Sequence, residues 1–203
     1  MPGRASAANR AVVRGGLVRS WTGPGLSADM FEDEELARAD MVGRAIHDII
    51  GRQLQRTATP STAEILRDVQ RALSAYRPIE ARAHRQNIAA GVAAYFRRLL
   101  PPAEWRFAGA ELWFGTGRLD LVWERADGAI LLDEVKTGNP RQLHTTRTRD
   151  QVSDYLGCAK SVWPDRVCGL RLLSTSEPHG SLFVSPDGSA TALRATTYVR
   201  TDS

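Results

Sequence analysis

Cysteine, lysine and long apolar runs are all scarce in this sequence of 203 residues. No segment approaches the roughly 20 consecutive apolar residues of a membrane-spanning helix, and the N-terminus lacks the apolar stretch of a signal peptide, so we expect a cytoplasmic protein without a membrane partner. The two cysteines, Cys158 and Cys168, match no zinc-ligand spacing and are too few for a four-thiolate iron–sulfur cluster. The remaining composition, 42% hydrophobic and 25% charged, is typical of one compact domain.

The basic residues are unevenly distributed in type and in position. Of the 27 Lys and Arg residues only Lys136 and Lys160 are lysines, so a lysine retained in this Arg-rich chain suggests a chemical role. Residues 1–28 contain four arginines and no acid, whereas the other 23 basic residues equal the 23 acids in number. We therefore predict a disordered basic tail over 1–28 and one nearly neutral domain over 29–203. A neutral domain requires that any nucleic-acid function depend on a localised site.

The hydrophobic pattern changes from helical to extended near residue 103. Helices are predicted before it over 29–56, 61–76 and 78–100, the second of them beginning with a Ser61–Glu64 capping box. Strands are predicted over 105–107, 111–114, 118–123 and 129–136, and then, after a helix over 148–162, over 167–174, 181–184 and 191–195. This order predicts an α/β domain with an αβββαβ core, in which helices flank a central sheet and extra helices precede it.

Three chemistry-bearing side chains fall near the ends of two neighbouring predicted strands. Because side chains alternate along a strand, Glu134 and Lys136 share one face, opposite to Asp133. Asp120 lies in the preceding strand, which the turn at 127–128 would place alongside. Two carboxylates and one ammonium would then converge on a hard divalent cation, with Lys136 orienting a water molecule. Solvated strand ends are the alternative, but the apolar character of this strand predicts a central position, where such residues are rarely without a function.

These residues and their neighbours resemble the PD-(D/E)xK nuclease superfamily and, within it, the RecB-like exonuclease branch. The matching motifs lie within residues 41–175 and are, in order, Gly43 with His47, Glu111, G-R-L-D at 117–120, D-E-V-K-T-G at 133–138 and Q-V-S-D-Y at 151–155. The chain lacks the iron–sulfur cysteines of the branch members that assist CRISPR adaptation, and it has no Walker-type loop or room for a helicase. We therefore expect a stand-alone nuclease, or one that works with a helicase or another protein partner.

The resemblance implies a restriction-endonuclease-like fold with a central mixed sheet and a Mg²⁺ or Mn²⁺ site. The implied ligands are His47, Asp120, Glu134 and the main-chain carbonyl of Val135, and the imidazole favours Mn²⁺. The implied catalytic residues are Asp120, Glu134, Lys136 and Gln151. Glu111 would support these ligands from behind or be an ordinary strand residue.

The implied substrate is DNA, hydrolysed at its phosphodiester bonds in an exonuclease-like manner on single strands or ends. Tyr155, on the helix face of Gln151, would contact a base or a phosphate, and Arg141, Arg147 and Arg149 would bind phosphates beside the site. Ordinary helix packing and a solvated loop are the alternatives for these four residues. Two other functions are open: an inactive nucleic-acid-binding or scaffold protein of the same fold, and a restriction-type endonuclease. The pattern gives no oligomeric state.

Overall fold

The computed structural model of the chain describes residues 34–56, 59–75, 78–114 and 117–193, together with the two-residue strands β1 (Val12–Val13) and β2 (Gly16–Leu17). The helices within these residues are α1 (Glu34–Leu54), α2 (Thr62–Ala72), α3 (Pro78–Ala94) and α4 (Thr146–Val162). The remaining strands are β3 (Trp105–Phe114), β4 (Gly117–Arg125), β5 (Ile130–Lys136), β6 (Val167–Ser174), β7 (Leu182–Val184) and β8 (Ala190–Ala192). Nearly all of the predicted tail over 1–28 lies outside the described residues, so the domain bounds stay a prediction.

The start of α2 and the end of the α3 segment follow local sequence signals. At the start of α2 the Ser61 hydroxyl accepts the Glu64 N–H at 3.3 Å, and the Glu64 carboxylate accepts the Ser61 N–H at 2.8 Å, which confirms the predicted capping box. Helix α3 begins at Pro78 and continues as a π-helical turn over Tyr95–Leu99. Proline supplies no N–H to continue such a helix, and the chain leaves it just before residues 101–102, both prolines.

The six strands form one mixed sheet in the order β3-β4-β5-β6-β7-β8. Only β5 and β6 are parallel, and α4 makes the crossover between them that a parallel pair requires. The predicted α/β fold with a mixed sheet flanked by helices is therefore confirmed. Two predicted strands, 105–107 and 111–114, are in fact the single strand β3, whose bulge between Phe107 and Gly109 interrupts the alternation that the prediction followed.

Strand β5 lies in the middle of the sheet and is buried from Ile130 through Val135. Ile130 and Leu132 pack in a core with α4, whereas Leu131 and Val135 pack in a second core with α1, α2 and α3. The expectation of a central strand is thus confirmed. Within the described part of the chain, no helix is long and apolar enough to cross a membrane.

Along the β3–β4 ribbon, the face of the sheet on which paired side chains pack changes between residues 110 and 112. Ala110 and Leu121 form a pair that packs with α1 to α3, whereas the pair Leu112 and Leu119, two residues along, packs with α4. Regular alternation would put both pairs on one side. Between them, Glu111 has φ of 57°, in the left-handed region that side chains other than glycine rarely adopt. This backbone conformation therefore accompanies the reversal, at the place where the candidate site lies.

Candidate active site

Asp120 lies where strands β4 and β5 separate. Their pairing runs from Glu124 opposite Ile130 to Leu121 opposite Asp133, where it ends. At the next position the Asp120 Oδ2 atom accepts the N–H of Val135 at 2.6 Å, so a side chain replaces the main-chain ladder. Only 7% of Asp120 is exposed. The fork between β4 and β5 therefore holds a buried carboxylate, and its second oxygen, Oδ1, takes no part in this bond between the strands.

Helix α1 brings His47 to that second oxygen. The His47 Nδ1 atom lies 3.0 Å from Asp120 Oδ1. A Cβ atom at Gly43, one helical turn earlier, would lie 2.9 Å from the Thr137 hydroxyl, so the glycine allows α1 to pack closely against the end of β5. The predicted Gly43 and His47 motif thus has a packing function and places an imidazole at the fork.

Glu111 joins His47 and Asp120 in a group suited to a metal ion. Each of the three residues offers one ligand atom, and these atoms all lie within 4.8 Å of one another. One nitrogen and two carboxylate oxygens are suitable donors for a divalent cation such as Mn²⁺. Burial raises the pKa of Glu111, and the nearby Arg118 opposes that shift. The group contains Glu111, which was predicted either to support the ligands or to be an ordinary strand residue, and it does not include the predicted ligand Glu134.

The two carboxylate oxygens of Glu134 differ in their hydrogen bonds. Its Oε1 atom accepts the Lys136 ammonium at 2.7 Å and the Gln151 amide at 3.1 Å. Its Oε2 atom is buried and has no hydrogen-bond partner among the described residues. Burial and the nearby Asp120 raise the pKa of Glu134 to about 7, against the opposing effect of Lys136. A buried oxygen without a donor is costly, and a cation is the kind of partner that would satisfy it.

A chain of hydrogen bonds connects Lys136 to helix α4 and then to β4. Lys136 donates to Gln151 Oε1 at 2.8 Å, and Gln151 Nε2 donates to the Tyr155 hydroxyl at 2.9 Å. That hydroxyl donates to the main-chain oxygen of Arg118 at 2.7 Å. A Cβ atom at Gly117 would lie 2.7 Å from the Tyr155 ring, so this glycine lets β4 approach it. The prediction that Gln151 and Tyr155 share a helix face is confirmed.

The acids of the site determine the protonation of their neighbours. Burial lowers the pKa of His47, but Asp120, Glu134 and Glu111 outweigh that effect and raise it to about 9. Burial and the Glu134 carboxylate raise the pKa of Tyr155 to about 12, so its phenol keeps its proton near neutral pH. Without a cation, the site therefore holds a protonated imidazole, which indicates that its carboxylates favour a positive charge in this place.

The sequence did not single out Arg118, although it lies within the G-R-L-D motif. Its Nη1 atom is 2.5 Å from Glu111 Oε2, and 38% of its side chain is exposed. The available signal was its position, two residues before Asp120 in a strand paired with that of Glu111. Diagonal neighbours in an antiparallel pair can reach one another when one side chain is long.

The other predicted arginines lie on the surface beside the site. Arg141 belongs to the 3-10 helix Pro140–His144, which packs against β5, and Arg147 and Arg149 lie at the start of α4. All three are exposed. Their contact with DNA stays a prediction.

A mixed sheet whose antiparallel strands separate around buried acids, with a lysine two residues after the second acid, defines the restriction-endonuclease-like class of fold and site. The model of the PD-(D/E)XK nuclease superfamily matches residues 22–186, and the chain belongs to this superfamily. Membership implies nuclease activity on a nucleic-acid substrate with the help of a divalent metal ion, for which the group of His47, Glu111 and Asp120 offers ligands. A comparison with curated proteins gives no match.

Proposed function

We propose that this chain is a Mn²⁺- or Mg²⁺-dependent deoxyribonuclease of the RecB-like branch, which hydrolyses phosphodiester bonds in single strands or at DNA ends. The observation that carries the proposal is the contact of His47 with Asp120, together with the buried oxygen of Glu134 that has no donor in the described part of the chain. A histidine on the first helix is one of the features by which the sequence resembles that branch.

The cation would be held by His47, Asp120 and Glu134, with the Val135 carbonyl and Glu111 as further oxygen donors. When bound, it would supply Lewis-acid polarisation of the phosphate and stabilise negative charge on the leaving oxygen. Asp120 is suited to this position because the Val135 N–H fixes one of its oxygens and leaves the other toward His47. The donor set combines one imidazole with hard oxygens, which suits Mn²⁺ and also accommodates Mg²⁺.

Lys136 is proposed to hold the attacking water. An ammonium group has three N–H donors, and Lys136 uses two of them on Glu134 and Gln151. The third can donate to a water molecule in line with the phosphorus, and the positive charge offsets the charge that develops there. Its side chain is 20% exposed, which leaves it accessible to water.

Gln151 is proposed to position Lys136 rather than to react itself. Its amide oxygen accepts from Lys136, and its amide nitrogen donates to both Glu134 and Tyr155, so its orientation is fixed from both ends. Tyr155 is only 4% exposed. Such a ring offers no surface for stacking on a base, and its hydroxyl bonds Gln151 and the Arg118 carbonyl. In place of the predicted contact with a base or a phosphate, we propose that Tyr155 holds these two groups.

The experiment is a cleavage assay on linear single-stranded, linear duplex and closed circular DNA, and on RNA, each with Mn²⁺ or Mg²⁺. The wild type is compared with Lys136→Ala and Asp120→Ala. Lys160→Ala is the matched control, because Lys160 is the other lysine of the chain and bonds the Pro186 carbonyl at the far end of α4. We expect Lys160→Ala to cleave like the wild type and both site variants to lose cleavage.

The substrates separate the proposal from its rivals. Cleavage of linear DNA with survival of the circles supports an enzyme that acts on ends. Digestion of closed circles instead favours an endonuclease, and cleavage of RNA alone would replace DNA as the substrate. Metal-dependent cleavage of none of these substrates favours an inactive binding or scaffold protein.

A further inference from the structure

We propose that Arg118 is a substrate-binding residue that Glu111 retains until a divalent cation enters the site. Once the cation neutralises Glu111, the guanidinium turns to a phosphate oxygen of the nucleic acid. This inference depends on the proposed function, because it needs both the cation and the substrate named there. It adds a residue for phosphate recognition and a reason for substrate to bind after the metal.

The geometry gives Glu111 two competing partners. One of its oxygens, Oε2, lies 2.5 Å from the Arg118 guanidinium, and the same carboxylate offers a ligand atom to the group with His47 and Asp120. A carboxylate bound to a divalent cation is a weaker partner for a guanidinium, because the cation already neutralises its charge. Cation binding and the Glu111–Arg118 ion pair therefore oppose each other.

The charges of the site also change sign when the cation enters. Three carboxylates, Glu111, Asp120 and Glu134, lie together with two permanent cations, Lys136 and Arg118. With all three carboxylates ionised, these five side chains carry one negative charge in excess. A divalent cation changes that balance to one positive charge in excess. A phosphodiester carries one negative charge and is attracted to the loaded site only.

Arg118 is placed to use that change. The Tyr155 hydroxyl fixes its main-chain oxygen, so its backbone keeps its place beside the catalytic residues when the side chain moves. Its side chain is 38% exposed and that of Glu111 is 36% exposed. Ion pairs with such exposure contribute little to stability, so stability of the fold does not explain this pair. A guanidinium is also the group best suited to bidentate contact with phosphate oxygens.

Arg118→Gln and Glu111→Gln test the proposal with binding measurements. Calorimetry gives the affinity for Mn²⁺ and Ca²⁺, and fluorescence anisotropy gives the affinity for a short labelled single-stranded oligonucleotide, with and without Ca²⁺, the DNA being checked for integrity afterwards. Arg125→Gln is the matched control, because Arg125 is also 38% exposed and is paired with Asp127 at the other end of β4. It is expected to bind metal and DNA like the wild type.

Arg118→Gln is expected to keep or tighten cation binding, because a competitor for Glu111 is gone. Its affinity for DNA should fall about tenfold in the presence of Ca²⁺ and should not change without it. In Ca²⁺ the slope of log K against log salt should decrease by about 0.7, the value for one phosphate contact on a single strand. Glu111→Gln should increase the affinity for DNA in the absence of Ca²⁺, because Arg118 is then released to bind a phosphate. The double variant, with both substitutions, should lose that gain.

Three outcomes overturn the proposal. Weaker cation binding by Arg118→Gln with unchanged DNA affinity would make Arg118 a residue that only positions Glu111. An equal loss of DNA affinity with and without Ca²⁺ would make it a permanent phosphate contact without retention by Glu111. In both cases the wild type still binds metal and cleaves, so the proposed function stands. If the wild type binds no divalent cation, the proposed function fails together with this inference.

Discussion

Two neighbouring acids on strand β5, Asp133 and Glu134, are both buried but have opposite surroundings. The Asp133 carboxylate accepts from Arg171 through both of its oxygens, at 2.7 and 2.5 Å, and also from the Tyr95 hydroxyl and the Trp123 indole. The Glu134 carboxylate has partners on one oxygen, and on the other it has none among the residues that the structure describes. They face opposite sides of the sheet, as alternation along a strand requires.

The difference shows how one strand can serve both the fold and the reaction. A buried charge whose hydrogen bonds are all made has a structural role, because loss of any partner leaves a neighbouring group unpaired. A buried charge with a free oxygen is costly to the fold, yet it can bind a ligand that the fold does not contain. We therefore assign Asp133 to the structure of the sheet and Glu134 to chemistry.

The sharpest test of this assignment is Glu134→Gln. We expect cleavage to fall by about 10³-fold or more, because a charged oxygen at the cation is lost. Stability should not fall. The folded-state pKa of Glu134, about 7, is above its ordinary value of 4.5, so its stabilising contribution exists below pH 4.5 and is lost as the pH rises through 7. At pH 8 the charge therefore opposes folding, and the amide removes it. Cleavage rates and thermal melting at pH 8 measure the two effects.

The opposite pattern is expected for Asp133→Asn. This change leaves the Arg171 guanidinium, which is 5% exposed, without its counter-charge, and loss of one partner from a buried ion pair costs about 3–5 kcal/mol. Denaturant unfolding measures the loss, and Asp127→Asn, in an exposed pair with Arg125, is the control that should unfold like the wild type. A small effect of Asp133→Asn together with a large effect of Glu134→Gln on stability would reverse the assignment.

Much of this arrangement could be predicted from the sequence because it depends on local periods. Alternation along a strand put Glu134 and Lys136 on one face, and the helical spacing of Gln151 and Tyr155 put them on another common face. A turn at 127–128 was enough to place Asp120 beside Glu134. Each of these inferences uses residues that are close in sequence or joined by a short turn.

The parts that were missed depend on contacts between distant residues. Asp133 and Arg171 are 38 positions apart, and no local period indicates that pair. The left-handed backbone of Glu111 is equally invisible, because a glutamate in a strand predicts ordinary extended geometry. For the same reason the sequence indicated a glutamate near the site but not its place in the group with His47 and Asp120.

Gln151→Ala tests whether the contacts of Glu134 Oε1 also matter. We expect the turnover rate to fall about 10- to 100-fold, as for other residues that orient metal ligands and their neighbours, while Mn²⁺ affinity stays close to that of the wild type. Single-turnover cleavage and calorimetry measure these quantities. Ser153→Ala, exposed on the same helix, is the control. A loss of Mn²⁺ affinity as large as the loss of rate would show instead that Gln151 mainly holds the cation site together.

Mn²⁺ binding should also depend on pH. His47 has a pKa of about 9 and Glu134 of about 7 without the cation, and both must be deprotonated to act as ligands. Affinity should therefore rise about tenfold per pH unit between pH 7 and 9, and more steeply below pH 7, where Glu134 also loses a proton. Calorimetry in buffers of different ionisation enthalpy counts the protons released, and His47→Asn should release about one fewer at pH 8. Release of no proton at pH 8 would mean that His47 stays protonated beside Asp120 and that the cation is bound by carboxylates alone.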